Sequence, residues 1–189
     1  VHDAERNAAC QQEQELMTLS LYDATIPSNI QILGAVDGLI GKAEAYCAEQ
    51  GIAPADLIEA RLAPDMLPFG YQVKATVEHA VGAINGARSG SYSPNLDPWP
   101  SDFAGLRAKV REGIEALKAL DPAEVNALAD RDTEFRFGET AMPFEGADFL
   151  LSFSQPNFYF HASTAYAILR AKGVQIGKRD FMGMPRIKR

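Results

Sequence analysis

The sequence has few cysteines, a shortage of basic residues and no long apolar run, and each shortage argues against a class of protein. Its 189 residues include two cysteines, Cys10 and Cys47, so a disulfide framework is not expected. Lys and Arg number 18 against 25 Asp and Glu, a formal charge of −7, which argues against nucleic acid as a partner. No apolar run approaches the roughly 20 residues that cross a bilayer, so a membrane partner is not expected either.

Familiar catalytic motifs are missing as well. The chain contains no Walker loop and no G-x-G-x-x-G, G-x-S-x-G, C-x-x-C or H-E-x-x-H pattern, which removes the common motif-based mechanisms. Any catalytic group must therefore come from side chains that meet between secondary-structure elements.

Length and composition predict one domain over residues 17–183. With 47% hydrophobic and 23% charged residues, the chain matches an ordinary globular protein. Residues 1–16 are polar and lack the basic start and apolar stretch of a secretory signal. We interpret them as an extension outside the fold, residues 184–189 as a basic C-terminal tail, and the protein as cytoplasmic.

Apolar periodicity predicts an all-α fold, a four-helix bundle with a short β-hairpin before the last long helix. The long helices are expected over residues 26–50, 73–88, 103–117 and 147–171, with Pro27 in the first turn of the first helix and Gly51 just past its end. Pro156 either kinks the last helix or marks a break. The pattern around Gly138 and Glu139 favours a hairpin. Shorter helices are expected near residues 54–60 and 122–129.

The last helix carries polar groups within an apolar stripe. At about 100° per residue, Asn157 and His161 share a face with Leu150 and Phe153, while Tyr159 and Tyr166 make the other side apolar too. Apolar residues all round a helix favour a second packing surface, and we predict a homodimer.

Two interpretations fit the polar residues of the predicted core. Asp37 and Glu44 lie on the core stripe of the first helix, so these carboxylates can converge with Asn157 and His161 to bind a divalent ion or activate water. Alternatively, the acids reach water at the edge of the stripe, while the amide and imidazole form hydrogen bonds that fix helix register.

His79 is a further candidate ligand. Its predicted position is about 130° from the centre of the apolar stripe on its helix, which argues against the core. However, it shares a flank with Gln72, Thr76 and Ala83, small or polar groups suited to a second helix contact or to a pocket.

Four strings carry a resemblance to a known family: S-L-Y-D-A from Ser20, A-R-L-A-P-D-M at residues 60–66, P-N-F-Y-F-H at residues 156–161 and G-K-R-D-F at residues 177–181. Together they resemble an uncharacterised bacterial family allied to the DinB-like superfamily. The resemblance implies a four-helix bundle, often dimeric. Its better-known relatives are metal-dependent hydrolases and thiol-dependent transferases or isomerases that use mycothiol or bacillithiol.

Such relatives hold nickel, zinc or a similar ion with one histidine from the second helix and an H-x-x-x-H pair on the last. By this resemblance His79 and His161 are metal ligands, and Asn157 stands where the first histidine of the pair belongs. An amide oxygen is a poorer ligand for borderline metals, so affinity should fall or shift toward harder ions.

With these residues, the resemblance implies a DinB-like bundle protein that is a divalent-metal-dependent hydrolase or thiol-dependent transferase with a degenerate site for Zn, Ni or Mn. In this hypothesis His161 and Asp37 are the catalytic residues, and His79, Asn157 and His161 are the ligands. The alternative is a non-catalytic dimeric small-molecule-binding or stress-response protein whose core polar residues are structural.

Overall fold

The computed structural model describes residues 19–188, which form a mostly helical fold with one small sheet. The predicted extension, residues 1–16, lies outside the described residues. The helices are α1 (Leu21–Gln50), α2 (Pro54–Ile58), α3 (residues 69–89), α4 (Phe103–Lys118), α5 (Pro122–Asn126), α6 (residues 146–171) and α7 (Lys178–Met182), and the strands are β1 (Ser91–Tyr92), β2 (Asp132–Phe137) and β3 (Thr140–Glu145).

Helix α1 begins at Leu21 rather than near Ile26 because Ser20 caps it. The Ser20 hydroxyl accepts a hydrogen bond from the Asp23 backbone N–H at 3.1 Å, satisfying one of the donors left free at a helix start. Pro27 therefore lies inside the helix and not at its first position. At the other end Gly51 is left-handed, with φ 66°, as predicted for the residue that terminates the helix.

Helices α3 and α6 each contain one π-helical segment, which the sequence did not predict. Residues Glu78–Gly82 form the first and Phe149–Ser154 the second. In α6 the Gln155 N–H bonds to the Leu150 carbonyl, and Pro156, which has no N–H, follows directly. The helix continues through Pro156, and a π segment adds a residue to a turn, so angles counted at 100° per residue fail across it.

The small sheet is a mixed sheet of three strands in the order β1-β2-β3. Strands β2 and β3 are antiparallel, with Phe137 opposite Thr140 and Gly138 at φ 57° in the turn, so the predicted hairpin is present. Strand β1 runs parallel to β2 and was not predicted. The all-α prediction is thus correct for most of the chain and incomplete for this sheet.

The core lies where α1 packs on α4 and α3 packs on α6. Its largest fully buried apolar side chains include Phe69, Phe149, Phe158, Leu33 and Leu39. Cys47 is a buried free thiol, as expected for a small apolar residue on a core face. Within residues 19–188, no helix combines the length and the apolarity that crossing a membrane requires.

Candidate functional site

The two histidines of the described chain meet between α3 and α6. Their ring centroids are 5.5 Å apart and the rings are nearly parallel, with an interplanar angle of 15°. His79 lies in the π-helical segment of α3, and the flank it shares with Gln72 and Thr76 is buried. This flank is therefore the second helix contact that the sequence left open, and the angular argument against His79 was misleading.

Gln72 determines which nitrogen of His161 carries the proton. The Gln72 side-chain N–H donates to the Leu67 carbonyl at 2.8 Å, so the amide oxygen faces the imidazole, 2.7 Å from Nδ1 of His161. An amide oxygen only accepts hydrogen bonds, and Nδ1 must therefore be the donor. The neutral ring then keeps its free lone pair on Nε2, the arrangement that histidine ligands of metals use.

His79 leaves one of its nitrogens unpaired. Its Nδ1 is buried and has no hydrogen-bond partner, although buried polar groups nearly always find one. Its backbone carbonyl accepts a hydrogen bond from the Ser154 hydroxyl at 2.7 Å, which ties α3 to the π-helical segment of α6. The ring contacts Tyr92 and Phe153, with centroids at 5.6 and 6.1 Å. The unpaired nitrogen therefore sits in a mainly aromatic environment.

Both imidazoles are uncharged at neutral pH. Burial and, to a smaller extent, the nearby His161 together lower the pKa of His79 to about 4. Burial also lowers the pKa of His161 to about 4. Since only the neutral ring can donate a lone pair, no proton competes for these nitrogens near pH 7.

Asn157 lies one turn before His161 on α6, as predicted, but half of its amide is already engaged. Its side-chain N–H donates to the Phe153 carbonyl of the same helix at 2.7 Å. Only the amide oxygen is left to coordinate a metal ion. The predicted third ligand is therefore limited to one weak oxygen donor.

Asp37 is bound by two arginines of α4. Its carboxylate accepts hydrogen bonds from Arg107 at 3.0 and 3.2 Å, and Arg111 lies 3.2 Å away. Burial raises the pKa of Asp37, but the hydrogen bonds and charges of the arginines outweigh it and the net pKa is lowered. Glu44 is exposed, as the alternative interpretation expected. The partners that the structure gives Asp37 are on α4, and none is a histidine.

The distance between the two histidine rings is compatible with a shared divalent ion, but because the rings are nearly parallel, both can coordinate it only where they also lie nearly in one plane. At zinc–nitrogen bonds of about 2.1 Å and near-tetrahedral angles, two imidazole centroids lie about 5 Å apart, close to the 5.5 Å observed. No group of three or more His, Cys, Asp or Glu side chains among the described residues could hold a metal ion. Any further ligand would have to be an uncharged protein oxygen or solvent, so the donor set suits a weakly held ion.

The role of Gln72 in orienting His161 was not predicted. The helical spacing placed Gln72 with His79 on one flank of α3, and that flank does face α6. The pairing of Gln72 with His161 joins residues 89 positions apart, and no pattern within either helix predicts such a contact. A polar flank of Gln72, Thr76 and His79 on an otherwise apolar helix was the available signal.

Comparison with known proteins places these observations in a family. A family model described as a domain of unknown function (DUF1993) matches residues 21–182. A crystal structure of a DinB family member protein from Shewanella denitrificans is 26% identical, with a TM-score of 0.76, over 89% of this chain and 95% of that one. Among curated proteins, no sequence matches the chain significantly.

Proposed function

Because the chain belongs to the DUF1993 family and resembles a DinB family member in structure, we propose that it is a DinB-like four-helix-bundle protein that binds a divalent metal ion. In this proposal it acts on a small molecule as a hydrolase or a thiol-dependent transferase. The four helices of the bundle are α1, α3, α4 and α6. The ion is zinc, nickel or manganese.

The orientation of His161 is the observation that carries the proposal. The amide oxygen of Gln72 accepts a hydrogen bond from Nδ1–H and thereby leaves Nε2 free, while burial keeps the ring neutral. A structural histidine needs only one satisfied hydrogen bond, whereas a ligand needs one nitrogen anchored and the other available. His79, with a buried nitrogen that lacks a partner, supplies the second donor.

Each residue has a defined part in this activity. His79 and His161 hold the ion, the Asn157 oxygen adds a weaker contact, and Gln72 orients His161. A bound divalent ion supplies a Lewis acid that lowers the pKa of a coordinated water or thiol. We keep Asp37 as the predicted proton acceptor. Its arginine partners hold its carboxylate ionised, and a proton acceptor must be ionised.

Metal titration tests the proposal. Chelator-treated protein should bind one zinc, nickel or manganese ion per chain, and its melting temperature should rise with the metal. His161→Ala and His79→Ala should each abolish the stoichiometric binding, and Asn157→Ala should only weaken it. The proposal fails if the wild type binds none of the three ions, or if both histidine variants bind as the wild type does.

A second candidate function is supported by the state of Asn157. Its back-bond to Phe153 lets it serve as a purely structural residue, as in a non-catalytic small-molecule-binding or stress-response protein. In that case His161→Ala should lower the free energy of unfolding by about 1–3 kcal/mol, because Gln72 loses its partner. The melting temperature of the wild type would then be unaffected by metal.

We also propose a homodimer that uses the outer face of α6. Tyr166 already packs on Phe181 of its own chain, with ring centroids 5.9 Å apart, so part of this face is covered. Tyr159 is half-buried, and the neighbouring Phe160 ring remains 55% exposed. Light scattering on a sizing column should give twice the chain mass, and Phe160→Ser should shift it toward the monomer. A wild-type monomer at high micromolar concentration would contradict the proposal.

A further inference from the structure

A cavity of about 430 Å³ opens beside the histidine pair. Its walls are mainly aromatic and aliphatic, and include Tyr71, Trp99, Phe135, Phe137, Leu67 and Leu96. This volume lies in the range of small-molecule sites, which are typically apolar with a few fixed polar groups. We call it the aromatic cavity.

Two aromatic contacts connect the aromatic cavity to the histidines. The Tyr71 ring, which lines the cavity, meets His161 edge-on at a centroid distance of 5.8 Å. Phe135, on another wall, lies 4.8 Å from Phe153, and the Phe153 ring in turn contacts His79. A molecule in the cavity is therefore separated from His161 by one side chain, Tyr71, and from His79 by two, Phe135 and Phe153.

Lys74, the cationic residue of the cavity wall, is buried and its charge is already paired. Its ammonium donates to the carbonyls of Asn95 at 2.5 Å and Asp97 at 2.6 Å, and lies 3.5 Å from the Glu78 carboxylate. Two of its three N–H donors are thus hydrogen-bonded, its charge is paired with Glu78, whose Oε1 receives no hydrogen bond, and Lys74 is only 2% exposed. An anionic ligand would find no free charged partner at this wall.

The indole N–H of Trp99, another donor of the wall, is engaged as well. The Trp99 indole N–H donates to the Glu59 carboxylate at 2.8 Å. Its ring stands at 88° to that of Tyr71, with centroids 6.0 Å apart, and the two rings form an apolar corner. Asp97, also on the wall, adds a carboxylate that disfavours a second negative charge.

From this lining we propose that the aromatic cavity binds an uncharged, flat and mainly apolar small molecule. Such a molecule would be the substrate class of the histidine site, a link that rests on the proposed function, whereas the binding itself needs no metal. The aromatic walls supply contact area, and a charged ligand would lose hydration without gaining a partner.

Two fluorescent probes with the same ring system test the charge preference. N-phenyl-1-naphthylamine is uncharged, and 8-anilinonaphthalene-1-sulfonate adds one sulfonate. Trp99 is the only tryptophan of the chain and lines the cavity, so energy transfer from it reports on occupancy. The uncharged probe should bind saturably, one per chain, and the sulfonate more weakly by roughly tenfold or more. Equal or tighter binding of the sulfonate, or no saturable binding of the uncharged probe, would overturn the proposal.

A matched pair of leucine variants locates the probe. Leu96 lines the cavity and is 80% exposed, while Leu19 is 75% exposed and lies outside the lining. Leu96→Asp should weaken binding of the uncharged probe several-fold, and Leu19→Asp should leave it unchanged. Both leucines are exposed, so both variants should fold, which a thermal melt verifies. Equal effects of the two substitutions would refute this location.

The same proteins separate this inference from the proposed function. Leu96→Asp should bind metal as the wild type does, and His161→Ala should bind the uncharged probe as the wild type does. Metal binding without probe binding would refute the ligand class alone. Probe binding without metal binding would refute the metal site alone.

Discussion

Acidification should destabilise this fold through His79 and His161. Their pKa values are about 4 in the folded chain and about 6.5 when unfolded. Between these values the unfolded chain binds protons that the folded chain does not, so stability falls as the pH falls. The loss should begin below about pH 7, grow through the interval from 6.5 to 4, and level off below it.

The size of the effect follows from the two pKa values. At pH 5.5 the linkage relation gives about 1.4 kcal/mol for each histidine relative to pH 7.5. Both rings keep some contact with solvent, which reduces this to about 1 kcal/mol each. Together they should cost about 2 kcal/mol. Glu78 acts in the opposite direction, because burial raises its pKa despite the opposing effect of Lys74.

Urea denaturation at pH 7.5 and 5.5 with a chelator present measures the loss. The matched control is the double variant His79→Gln/His161→Gln, which retains Glu78 and every other titrating group. The wild type should lose about 2 kcal/mol more than the control between the two pH values. If the two proteins lose the same free energy, to within about 0.5 kcal/mol, the histidines are not held neutral by burial and the reasoning is refuted.

Three further predictions concern stability. Gln72→Met should cost about 1–3 kcal/mol in a thermal melt, because the Nδ1–H of His161 loses its acceptor; an unchanged melt would contradict the hydrogen bond between these two side chains. Lys74→Met should lower the free energy of unfolding in urea by about 3 kcal/mol, because Glu78 loses its buried partner. A loss below about 1 kcal/mol would show that Lys74 does not hold the loop with Asn95 and Asp97 in place. Gly34→Ala should stabilise the protein by about 0.5–1 kcal/mol, because Gly34 is exposed within α1 and an added Cβ would meet no atom within 4 Å. Gly146→Ala should instead destabilise, because its Cβ would collide with a backbone carbonyl oxygen, and equal effects of the two glycine substitutions would contradict this contrast.

Local chemistry made much of the fold predictable from the sequence. Gly51 ends α1 and Gly138 turns the hairpin at positive φ, and Asp121 caps α5 by accepting from the N–H groups of residues 123 and 124. Each feature depends on residues within a few positions of one another. Strand β1 was missed because it has only two residues, Ser91 and Tyr92, which are extended through pairing with β2.

The candidate site was predictable only in part, because its decisive contacts are long-range. The face shared by Asn157 and His161 could be inferred from spacing along one helix. The position of His79 could not, since its π-helical segment changes the angular count. The arginine partners of Asp37 are about 70 positions away, and charge in the sequence does not say which carboxylate they meet. Whether each candidate residue reaches the site therefore depends on tertiary packing.

Nitrogen-15 NMR of the imidazole rings at pH 6, before and after one equivalent of zinc, tests the central claim most directly. Without metal, His79 and His161 should both be neutral, and His161 should carry its proton on Nδ1. Zinc should then shift the Nε2 resonance of His161 and one nitrogen of His79 together. The central claim is contradicted if either ring is charged at pH 6, if His161 carries its proton on Nε2, or if zinc shifts the resonances of neither ring.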